Sequence, residues 1–133
     1  MSQCTAEQSR EIARLFYNLS VSLGEYRFKN WDDLSEGELD NLESLESRLR
    51  NYASKFTAMA INISIDNLAE PLNQIKEATK KADDAVKKLN QIRKVITIAK
   101  KTVSLGVAII SKDPFKIVQA SADLLNITVQ YKT

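Results

Sequence analysis

Histidine is absent from this chain of 133 residues, and cysteine occurs once, at position 4. Without histidine there is no His-based general acid–base catalysis, no His-activated nucleophile and no His metal ligand. A single cysteine cannot form an internal disulfide, which fits a reducing compartment; Cys4 is read as a tolerated residue near a terminus rather than a reactive thiol. Glycine and proline are scarce as well, at three and two residues, so turns are few and elements long. The three glycines are isolated and make no phosphate-cradling loop.

Long apolar runs are also missing. Val103 to Ile110 is the best candidate, but it covers only ~12 Å of a ~30 Å hydrocarbon layer. Extending it backwards admits Lys100 and Lys101, so no membrane span is expected. The N-terminal MSQCTAEQSREIARLF lacks a basic region followed by an apolar core, and the expectation is a cytoplasmic protein. The N-x-S/T triplets at Asn18, Asn62 and Asn126 then have no consequence. A net charge of +2 does not by itself suggest a polyanion partner. These absences point to a non-enzymatic protein without metal or cofactor.

What is present is helical periodicity, in a chain whose length suits one domain spanning 1–133. Thr5 with Gln8 forms a capping-box pattern, and Ile12, Phe16, Leu19, Leu23 and Tyr26 follow at three-four spacing, predicting a helix over about 5–26. Ser35 with Glu38 opens a second series, Leu42, Leu45, Leu49, Tyr52, Phe56, Met59 and Ile63, over about 35–65. INISI at 61–65 alternates like a strand, but the longer helical period around it is favoured.

A third series runs from Ile65 to Leu89, steps out of frame to Ile92, Ile96, Ala99 and Val103, and predicts a helix over about 67–110. It would begin at a cap on Asp66 or Asn67, with Pro71 tolerated only near its start. Asp113 and Pro114 read as a cap followed by a first-turn proline. Phe115, Val118, Ala122, Leu125 and Val129 give a fourth helix, about 114–131.

The fold class expected is therefore all-α, a four-helix bundle with coiled-coil-like packing and a long antiparallel central hairpin. Helix two would be ~46 Å long and helix three ~65 Å, so their tip, roughly residues 57–83, would project beyond the shorter helices one and four. Val103, Val107 and Ile110 would lie in the core of the four-helix head.

The projecting tip carries more apolar residues than one facing helix can cover, and such patches mark interfaces. Met59, Ile61, Ile65, Leu68 and Leu72 are the candidate interaction residues, for self-association or a partner protein helix. A membrane-active role is the alternative, with the tip meeting lipid and lysines meeting headgroups.

Lys80, Lys87, Lys94 and Lys101 recur every seven residues, within a segment 76–101 that holds nine Lys or Arg against three acids. They form a candidate anion-facing stripe. Nucleic acid is the weakest partner class, because that segment has no aromatic residue on which a base could stack. Residues 32–46 carry seven acids and no base, which suits pairing with the basic segment across neighbouring helices. Tyr26, Phe28 and Trp31 are read as plugging the bundle end, with a binding anchor as the alternative.

Overall fold

The structure, a computed structural model, describes residues 6–58 and 69–131, with side chains for 7–58 and 72–131. Five α-helices make up the described chain, with no strand among those residues: α1 (Ala6–Lys29), α2 (Glu36–Ala58), α3 (Ala69–Lys88), α4 (Ile92–Ser111) and α5 (Pro114–Gln130). A single 3-10 turn, Trp31–Asp33, lies between α1 and α2.

Local chemistry sets these boundaries. At the start of α2 the Glu38 carboxylate accepts from the Ser35 amide at 2.9 Å and the Ser35 hydroxyl accepts from the Glu38 amide at 3.1 Å, a reciprocal cap of two orphan donors. The α4–α5 turn has the same economy. Lys112 adopts a left-handed φ of 62° to end α4, and the Asp113 carboxylate accepts from the Phe115 amide at 3.0 Å to start α5, with Pro114 following the cap.

The expected third helix is two helices. Leu89–Gln91 break it, and α4 turns back on α3. The break falls where the apolar frame slips between Leu89 and Ile92. A continuous helix would rotate one apolar face off the core; the chain turns instead, burying Leu72, Ile75, Ala82 and Val86 on α3 and Val95, Ile98, Leu105 and Ile109 on α4.

This break overturns the long central hairpin. α3 lies against α1 and α5 rather than along α2, while α2 packs on α1 and α4, and α5 on α3 and α4. The Glu11–Lys76 ion pair at 3.0 Å and a hydrogen bond from Ser22 to Asp83 fix α1 and α3 side by side in the same sense. Residues 72–83 therefore do not project; they complete the bundle.

The core unites all five helices. Ile12, Phe16, Leu19 and Leu23 of α1 meet Leu42, Leu49 and Phe56 of α2, with Ile75, Ala82, Ile98, Leu105 and Ile109 from α3 and α4. Phe16 packs edge-on against Phe56 at 5.3 Å between ring centroids. Among the described residues the stripes expected for the first two series, and the third from Leu72 to Leu89, are buried or half-buried as read. On α4 the fully buried line is Val95, Ile98, Thr102, Leu105 and Ile109, one position away from the expected Ile92, Ile96, Ala99 and Val103, of which Ile92 and Ile96 are half-buried. The last stripe is displaced as well: Ile117, Ser121, Leu124 and Thr128 face inward on α5, and the expected stripe faces out.

Candidate functional site

On α5 two apolar stripes lie roughly a third of a turn apart, and both satisfy three-four spacing. The inner one includes two hydroxyls. Thr128 donates to the Leu125 carbonyl at 2.7 Å, and the Ser121 hydroxyl is buried with no hydrogen-bond partner among the described residues. The outer one is wholly apolar. Phe115 is 86% exposed and Val129 60%, Val118 and Ala122 are exposed, and Leu125 is half-buried. A helix that turns its more apolar face outward leaves an unpartnered surface.

Towards its C-terminal end this stripe enters a groove of about 440 Å³ between α3 and α5. Ala85, Leu89, Val129 and Tyr131 form its apolar lining, and Lys81, Asp84 and Lys88 its charged rim. Lys94 holds its ammonium 5.1 Å from the centre of the Tyr131 ring, at the same end.

A second exposed apolar group stands at the α1–α2 turn. The Phe28 and Trp31 rings stack at 6.1 Å and are 71% and 47% exposed. The Arg27 guanidinium lies over both, and it is itself held by the buried Glu46 carboxylate at 2.7 Å. Tyr26 alone of the three aromatics is buried. Burial, and then the nearby Glu38 and Asp33 carboxylates, push its hydroxyl pKa above the ordinary tyrosine value.

The sequence-predicted residues fare unevenly. Met59, Ile61, Ile65 and Leu68 lie outside the described residues. Leu72 is 3% exposed and belongs to the core, packed there because α3 folds onto α1 and α5. In the Val103–Ile110 stretch, Val103 is buried as expected, but Val107 and Ile110 are exposed, since helix neighbours cover only part of the end of α4.

The lysines do not line up as one stripe. Lys80 and Lys87 stand on α3, Lys94 and Lys101 on α4, and the break between the helices ends the seven-residue register. Lys87 pairs with Asp83 at 3.3 Å, Lys94 with the Tyr131 ring, and Lys80 and Lys101 are exposed. The acids Asp32, Asp33, Glu36 and Asp40 are exposed and form no ion pair with the basic segment among the described residues.

Among the described residues no three His, Cys, Asp or Glu side chains gather to hold a metal ion, and no helix is long and apolar enough to cross a membrane. No family model, no curated protein and no solved structure matches the chain.

Proposed function

We propose that the protein is a non-enzymatic helical interaction module, whose α5 presents Phe115, Val118, Ala122, Leu125 and Val129 to an apolar helix of a partner or of another copy. The observation that carries this reading is the inversion on α5, with hydroxyls inside and the apolar stripe outside. Fully burying a side chain of this size is worth about 1.5–3 kcal/mol, and the fold leaves that gain uncollected at several adjacent positions.

Gln119 and Asn126 border the stripe along its length, with Lys116 beside Phe115 and Lys81 and Lys88 beside Val129. This reading moves the contact from the α2–α3 link, where sequence periodicity placed it, to α5.

Phe115→Asp with Val118→Asp tests it. The pair should leave the circular dichroism and melting curve unchanged, since both side chains are exposed. It should remove the complex the wild type forms, read as absolute mass by light scattering and as chains that co-purify stoichiometrically. A wild type that is monomeric, with no co-purifying chain lost on substitution, would count against the reading.

A further inference from the structure

The two exposed features described above stand at the same end of the bundle. α1 and α3 run in the same sense, so the Phe28–Trp31 pair after α1 and the α3–α5 groove beside Lys88 and Leu89 share that end, α1–α2 on one side and α3–α5 on the other. Their charges are opposite. Asp32, Asp33 and Glu36 follow the aromatic pair in the chain and have no ion-pair partner among the described residues. Arg27 over the rings is neutralised by Glu46, and Lys29 is the one other cation beside them. The groove is rimmed by Lys81, paired with Glu77 at 3.2 Å, and by Lys88 against the acid Asp84, with Lys94 nearby over Tyr131. One end of the molecule thus holds an apolar knob with an excess of acids in the turn that follows it, and an apolar groove with an excess of lysines on its rim.

We propose that this end docks on the same end of a second copy, with Phe28 and Trp31 of each protomer entering the α3–α5 groove of the other. A twofold axis across the bundle ends makes the two contacts equal and closes the assembly as a dimer. Each protomer then sets its acids opposite its partner's lysines twice over, and the stacked aromatic pair gains apolar cover from Ala85, Leu89 and Val129. The aromatic pair is suited to the role because it is already ordered. Arg27 covers the two rings and Glu46 fixes Arg27, so little side-chain freedom is lost on docking.

This inference rests on the interaction reading above but names the partner and a pair of surfaces that share only Val129 with the α5 stripe. Trp31 is the only tryptophan, so a concentration-dependent change in emission arises at this site. Raising the protein concentration should double the mass in light scattering and shift Trp31 emission to shorter wavelength, and added salt should reverse both.

Two charge-reversed proteins carry the decisive comparison: Asp32→Lys with Asp33→Lys in one, Lys81→Glu with Lys88→Glu in the other. Each alone should associate at least roughly tenfold more weakly, because it sets like charges against like. Mixed in equal amounts they should recover the wild-type mass, since each knob then meets an oppositely charged rim. A wild type that stays monomeric with constant Trp31 emission overturns the proposal. So does association that survives both reversals, or a mixture that fails to recover. Phe115 and Val118 lie outside both surfaces, so loss of this dimer leaves the broader reading to its own test.

Discussion

Arg27 and Glu46 are bound to one another across α1 and α2 by two hydrogen bonds, Nε to Oε2 at 2.7 Å and Nη2 to Oε1 at 3.2 Å. The two side chains are 15% and 4% exposed, so the pair is not symmetrical in what it leaves behind. Arg27→Ala strands a buried carboxylate and should cost about 3–5 kcal/mol in urea unfolding. Glu46→Ala leaves a guanidinium that can turn to water and should cost about 2 kcal/mol. Both variants should alter Trp31 emission, Arg27→Ala by removing the guanidinium from over the ring and Glu46→Ala by freeing it.

At Gly106 α4 passes directly against the Tyr52 ring of α2. A Cβ there would lie 2.7 Å from the Tyr52 ring. Gly106→Ala should therefore destabilise by about 1–3 kcal/mol from overpacking, against the ~1 kcal/mol gain in helix propensity. Gly37, near the start of α2, has nothing within 4 Å, and Gly37→Ala should instead stabilise by about 0.5–1 kcal/mol. Opposite shifts in melting temperature for the same chemical change are the expected result.

The sequence displayed the caps at Ser35 and Asp113 and, among the described residues, the buried stripes of α1 to α3, because those rest on local spacing and local hydrogen bonds; on α4 the buried Val95, Ile98, Leu105 and Ile109 lie one position from the stripe that spacing suggested. It also displayed the frame slip after Leu89, which is where α3 ends. Whether such a slip twists a helix or breaks it depends on which helices lie alongside, and that is tertiary information. The two stripes of α5 share one period, so spacing could not say which faces in. Apolar character pointed to Phe115 and Val129, and packing chose Ile117 and Leu124 with Ser121 and Thr128. The aromatic pair at the α1–α2 turn was visible as composition, but its stacking and exposure required the fold.

Ser121 supplies a direct consequence of that choice. Its buried hydroxyl has no partner among the described residues, and Ser121→Ala should stabilise by about 1 kcal/mol, a rise of about 3 °C in melting temperature. An unchanged or lower melting temperature would mean that the hydroxyl is satisfied, for instance by a buried water.

Leu72 separates core from contact surface. Leu72→Ala should cost about 2–5 kcal/mol in denaturant unfolding, as for a buried leucine, whereas Phe115→Ala should stay within about 0.5 kcal/mol.

Tyr26 predicts a weakness at alkaline pH. Its pKa is raised in the folded protein above the ordinary value of 10.0, so the folded state holds this proton more tightly than the unfolded one. That contribution to stability is fully present below the unfolded value and is lost as pH climbs through the folded one. Urea midpoints measured from neutral pH upwards should fall more steeply above pH 10.0 in wild type than in Tyr26→Phe.

The turn at Leu89–Gln91 also bears on how quickly the chain finds its fold. It makes α3 and α4 adjacent in space across three residues, as the α4–α5 turn does across two and the α1–α2 link across six. Three of the packed helix pairs thus close over short loops, at little entropic cost and before any distant segment need arrive. An unbroken third helix would have had to find α2 along its whole length. With the break, the chain assembles from hairpins, and refolding on a timescale of about milliseconds or faster is the pace such local topology sets.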